Sequence, residues 1–129
     1  MFWVALSALI MSLTGEGDDT FLVRAFLDRA SEAVTEHVQD ATRQRQALEI
    51  IERASKSFHQ HRERAGRIGE CIEKADRNYA ASAADYERCL SDLTPAWDAA
   101  AEALITTSND FRRVLTPAEL AAVRHDAER

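Results

Sequence analysis

From Asp18 to Ala65 the chain contains neither glycine nor proline, and apolar residues recur every three or four positions along it. That spacing puts the apolar side chains on one face of an α-helix. The whole sequence has only 4 glycines and 2 prolines, and valine and isoleucine are few, which disfavours a sheet with many turns. We therefore expect an all-α protein. The repeat is carried by Phe21, Val23, Phe26, Leu27, Ala30, Val34 and Val38, then by Ala41, Leu48, Ile51, Ser55, Phe58, Ala65 and Ile72.

The N-terminal segment predicts export. Residues 1–14 carry no charged side chain, and acidic residues follow from Glu16. A membrane-spanning helix needs about 20 apolar residues, so this shorter run matches the core of a signal peptide. We assign residues 1–17 to a signal peptide or short membrane anchor, and 18–129 to a single helical domain in the periplasm or another extracytoplasmic compartment. Because no Lys or Arg precedes Arg24, an uncleaved inner-membrane anchor and a buried first helix of a cytosolic protein stay open.

The two cysteines distinguish two ways of folding the middle of the chain. In one continuous helix Cys71 and Cys89 would be about 27 Å apart, too far for a disulfide. In a helical hairpin centred on Ala80 each cysteine lies nine residues from the centre, and a bond becomes natural. Asn78 as a left-handed stop and Ser82-Ala83-Ala84-Asp85 as a capping box favour the hairpin. We predict a long antiparallel, coiled-coil-like hairpin with a Cys71–Cys89 disulfide.

Further helices are expected on both sides of the hairpin. The first should run from near Phe21 to about His37, and the last from Pro117 to about Asp126. Gly66 and Gly69 fall inside the second helical stretch, where they are expected to let a neighbouring helix approach closely.

A short repetition marks two helix starts. Leu-Thr-Pro-Ala occurs at 93–96 and again at 115–118. In both copies threonine can cap a helix and proline can occupy its first position, and Glu119 completes a capping box in the second. The apolar pattern continues through the first copy, so Pro95 is expected only to kink a long helix over 83–115.

Charge and motif content point to binding and away from catalysis. The net charge of -6 comes from 22 acidic and 16 basic residues that alternate along the chain, so no basic stripe is available for nucleic acid. Paired carboxylates lie beside basic residues at ion-pairing helical spacing. The sequence has no glycine-rich phosphate loop and no nucleophile elbow. We therefore do not expect an enzyme.

Histidines offer a candidate site for a divalent transition metal. His59 and Glu63 are four residues apart and share a helix face, with His61 beside them. His37, in the apolar register, and Glu36 beside it can approach if the first helix packs alongside. The alternative is that these are ordinary solvated histidines, because a closed site needs three or four converging ligands.

Aromatic and aliphatic residues form an apolar face along the hairpin. Such a face usually packs into a core, but a single hairpin cannot cover both of its apolar sides. We therefore expect a protein partner: a second copy, a client polypeptide or a membrane protein. The residues assigned to this binding or dimer face are Phe58, Ile72, Tyr79, Tyr86 and Trp97.

The segment from Phe111 to Leu120 reads Phe-Arg-Arg-Val-Leu-Thr-Pro-Ala-Glu-Leu. It resembles the Leu-Thr-Pro-Glu-Gln signature of two groups of proteins. These are periplasmic helical-hairpin proteins of the Spy/CpxP type and heavy-metal sensor and resistance proteins of the CnrX/ZraP type. The resemblance covers roughly 21–125. It implies a periplasmic dimer that binds unfolded clients, or a sensor domain that binds divalent metal and reports to a membrane partner. Ala118-Glu119 replaces Glu-Gln here, and the paired histidines of the metal sensors are absent.

Overall fold

The computed structural model describes residues 19–129, and the predicted leader over 1–17 lies outside them. Within the described part the chain forms helices and no strand, so the all-α prediction is confirmed. None of these helices is long and apolar enough to cross a membrane. The helices are α1 (Asp19–His37), α2 (Ala41–Arg77), α3 (Ala83–Leu90), α4 (Leu93–Val114) and α5 (Pro117–Ala127).

Helix α2 is the longest element, and α1, α3 and α4 pack against it. Its 37 residues extend about 55 Å at 1.5 Å per residue. Helices α3 and α4 return alongside α2, while α1 packs on both α2 and α5. The hydrophobic core lies at one end, where α1, the first part of α2, the end of α4 and α5 meet. It consists of Ala30, Ala33, Val34, Val38, Ala47, Ile50, Ile51, Phe111, Leu115, Val123 and Ala127.

The connection between α1 and α2 is short because its polar groups are satisfied locally. Asp40 caps α2, and its carboxylate accepts a hydrogen bond from the Arg43 backbone N–H at 2.9 Å. The Gln44 side-chain amide donates to the carbonyls of Thr35 and Val38 at 3.1 and 3.2 Å, which are acceptors that the end of α1 leaves unpaired. The break at the end of α1 agrees with the predicted end near His37.

The chain reverses between α2 and α3, and the predicted disulfide is present. Cys71 and Cys89 are bonded, with their Cα atoms 5.4 Å apart. The Ser82 backbone N–H donates to the Asp85 carboxylate at 2.9 Å, and this bond is the main reason why the pKa of Asp85 is lowered. The expected left-handed stop at Asn78 is wrong: its backbone is extended at φ -98°, and its side chain accepts instead from Ala80 N–H at 3.0 Å.

The predicted long helix over 83–115 is broken in two. It stops at Leu90 and restarts at Leu93, with Asp92 and not Thr94 at the N-cap. Pro95 explains the position of the break, because its ring clashes with the carbonyl four residues earlier, that of Ser91. The Arg64 guanidinium on α2 binds both carboxylate oxygens of Asp92, with Nε to Oδ2 at 2.7 Å. This pair holds the break against α2.

Helix α5 starts as predicted, but Glu119 has a different role from the expected one. Thr116 accepts from the Glu119 backbone N–H at 3.2 Å, which makes Thr116 the cap. The Glu119 carboxylate accepts from the Arg43 side chain on α2 at 2.7 Å. Leu115 is buried just before the cap and Leu120 packs on the same core, which fixes the angle at which α5 leaves α4.

Gly66 and Gly69 do not permit a close helix approach, contrary to the sequence prediction. A Cβ added at either position would meet nothing within 4 Å, and both residues are exposed. Their effect on the molecule is therefore the conformational freedom that they give to the unfolded chain.

We expect Gly66→Ala and Gly69→Ala each to raise the free energy of unfolding by about 0.5–1 kcal/mol, because alanine favours the helix and creates no clash. Urea denaturation of the single and double variants measures this. Unchanged or lower stability would mean that a side chain at these positions meets neighbouring residues.

Asp92 should make the fold sensitive to acid. The Arg64 hydrogen bonds hold the pKa of Asp92 below its ordinary value. The unfolded chain therefore takes up this proton more readily, and the stabilisation is present above about pH 4 but is lost as the pH falls through the lowered pKa. We expect Asp92→Asn to be less stable than the native protein at pH 7 and to lose less stability between neutral and acid pH. Asp98→Asn, at an exposed position, is the control in the same thermal denaturation series.

Candidate functional site: an apolar groove

An apolar groove of about 340 Å³ opens beside the hydrophobic core and is lined from α1, α2, α4 and α5. Its size falls within the range of protein ligand sites. Large apolar side chains in its walls are only half-buried, so they remain available for contact. These are Val23, Phe26, Leu27, Phe58, Leu104 and Leu120.

The groove exists because small residues lie between those large ones. Ala54 on α2 and Ala100 and Ala103 on α4 line the same space, and their short side chains leave volume that longer ones would fill. Ile105 also lines the groove and is 56% exposed. The arrangement presents apolar surface to an occupant and does not close over it.

The ionisable side chains among the described residues that line the groove are all basic or imidazole. They are His61, Arg112 and Arg124, and no carboxylate is among the described lining residues. Burial, assisted by the positive charge of Arg64, lowers the pKa of His61 below its ordinary value of 6.5. His61 is therefore neutral at pH 7. The groove has the chemistry of a binding surface, since it combines an apolar wall with hydrogen-bonding and cationic groups.

The sequence-predicted apolar face is dispersed in the structure. Of its five residues only Phe58 lines the groove. Ile72, Tyr86 and Trp97 are half-buried outside the groove, and the Tyr86 hydroxyl donates to Asp76 at 2.8 Å. Tyr79 is fully exposed in the turn after α2.

Sequence reasoning missed Leu104, Leu120 and the alanines of the groove. The helical repeat contained Phe26 and Leu27, but no sequence signal indicated that α1 and α5 leave an open space against α2 and α4.

The four residues predicted as metal ligands are not brought together. His59 and Glu63 form an exposed pair, with Nε2 and Oε1 3.3 Å apart. His61 lines the groove instead. His37, on α1, pairs with Asp126 on α5, its Nε2 lying 2.6 Å from Oδ2. The proposed set therefore does not form one site.

A different set of three side chains offers ligand atoms for a metal ion. Within the described chain, ligand atoms of Glu36, His37 and Asp126 lie within 4.8 Å of one another. The contact with His37 is the main cause of the lowered pKa of Asp126, which keeps that carboxylate ionised. His37 and Glu36 were singled out from sequence, but no sequence pattern indicated that Asp126 lies beside them.

Comparisons with known proteins give no relative for this arrangement: no family model matches the chain, and no curated protein or solved structure matches it.

Proposed function

We propose that this chain is an extracytoplasmic helical-hairpin binding protein that holds apolar segments of other polypeptides, in an envelope-stress role. The observation that carries the proposal is the apolar groove between α1, α2, α4 and α5, with half-buried Phe26, Phe58 and Leu104 in its walls. An amphipathic helix placed in a groove of this kind buries its apolar face against such side chains.

Two further features support this function. The Cys71–Cys89 bond is in keeping with an oxidising compartment, where structural disulfides persist. The lining of the groove is also mostly apolar, and its ionisable residues are His61, Arg112 and Arg124, which suits contact with an apolar segment. Capture of a segment requires only surface complementarity, which the groove provides.

We expect Ile105→Asp to weaken suppression of client aggregation about tenfold, because it places a charge where an apolar client side chain would be buried. Ile105 is already exposed, so the fold should tolerate the change. Light scattering of an aggregating client at several protein concentrations measures the effect.

The matched control is Leu90→Asp. Leu90 is also a helical aliphatic residue, 45% exposed, but it lies on α3 outside the groove. Equal loss in both variants, or no suppression by the native protein, would refute client capture in the groove. Concentration-dependent sedimentation that disappears only in Ile105→Asp would assign the groove to self-association.

A second candidate function is binding of a divalent transition metal, and the observation that favours it is the group Glu36, His37 and Asp126. One imidazole and two carboxylates are ligands that such ions accept.

Nickel and zinc titrations followed by calorimetry should show one saturable site that His37→Ala abolishes and His59→Ala leaves intact. His59 is the suitable control because it is exposed and pairs with Glu63 in its own helix. Equal binding by both variants would remove this candidate.

A further inference from the structure

The charges around the groove differ from those of the rest of the protein. The chain as a whole carries a net charge of -6, yet the ionisable groups among the described lining residues are His61, Arg112 and Arg124. An apolar groove lined by two arginines, in an acidic protein, favours occupants with negative charge beside their apolar part.

Asp110 and Asp126, each two residues from one of these arginines, are engaged elsewhere. Asp110 lies 3.8 Å from both Arg53 and Arg113. Asp126 lies 2.6 Å from His37. Neither therefore neutralises the arginines of the groove in the way that a surface ion pair would.

Arg112 and Arg124 are exposed and belong to different helices, α4 and α5. Long arginine side chains can lie along apolar surface while the guanidinium remains in water. Each guanidinium can then bind a carboxylate through two hydrogen bonds. Their placement on two different helices gives the groove two cationic groups that acidic residues of a ligand can bind.

We infer that the groove selects apolar helical segments of polypeptides that are flanked by acidic residues, with Arg112 and Arg124 as the residues that recognise the flanking carboxylates. This inference rests on the proposed function and specifies the class of segment that the groove holds. The apolar walls supply affinity, and the two arginines supply the preference for segments with acidic flanks.

The test uses the full chain and two fluorescent peptides that share one apolar helical sequence, one flanked by aspartates and the other by lysines. We expect the aspartate-flanked peptide to bind about tenfold more tightly at low salt, because its carboxylates attract the two arginines and the lysines of the other peptide are repelled by them. The difference should shrink strongly near 1 M salt, because exposed charges are then screened. Fluorescence anisotropy gives both affinities.

The double variant Arg112→Glu/Arg124→Glu should reverse the preference towards the lysine-flanked peptide. Arg29→Glu/Arg45→Glu is the matched control, because it makes the same change of charge at exposed arginines that do not line the groove. Circular dichroism of both double variants verifies that each is folded.

The possible results test the charge preference, the role of the two arginines and the proposed function separately. Equal binding of both peptides would overturn the charge preference and leave apolar capture in place. A preference that the control pair also reverses would assign it to overall charge and overturn the role of Arg112 and Arg124. Binding of neither peptide would overturn the proposed function as well.

Discussion

The disulfide between Cys71 and Cys89 joins α2 to α3 at the end of the molecule that has little core of its own. The hydrophobic core lies around Val34 and Val38, whereas near the disulfide the buried apolar residues are Ile68, Ala75 and Cys89. A pair of helices with so little buried surface is marginal in water. Closing an 18-residue separation restricts the unfolded chain, and the chain-entropy estimate for such a loop is roughly 3 kcal/mol.

That bond also influences the other end of the molecule. By fixing where the chain turns back, it sets the register of the returning helices against α2. Arg64 and Asp92 then hold the break between α3 and α4, which Pro95 forces, at one position along α2. Because α4 is placed in this way, Ala100 and Ala103 lie opposite Ala54 and leave the groove open.

Local sequence signals predicted much of this architecture. Helical content follows from apolar periodicity and from the scarcity of glycine and proline. The end of α1 follows from the same periodicity, and the start of α5 follows from the Thr116-Pro117 cap. The symmetric placement of the cysteines about Ala80 predicted the reversal. Errors arose where two signals competed. At Pro95 the apolar pattern continued, but the proline ring breaks the helix because it clashes with the preceding turn. At Glu119 a tertiary contact with Arg43 replaced the local capping bond.

The candidate site was less predictable because it depends on which helix faces meet. Phe58 was identified from periodicity, but its neighbours in the groove come from α1, α4 and α5, which are distant in sequence. The same limit applies to His37, whose partner Asp126 is 89 positions away. Residue spacing describes one helix at a time and carries no information on the angle between two helices.

Hydrogen exchange with and without a saturating client tests whether a polypeptide binds in the groove. We expect added protection in residues 23–30, 54–61, 100–112 and 120–127, which contribute the groove, and unchanged exchange in residues 70–90 around the disulfide. Protection confined to 70–90, or no change in any groove segment while the client is bound, would contradict it.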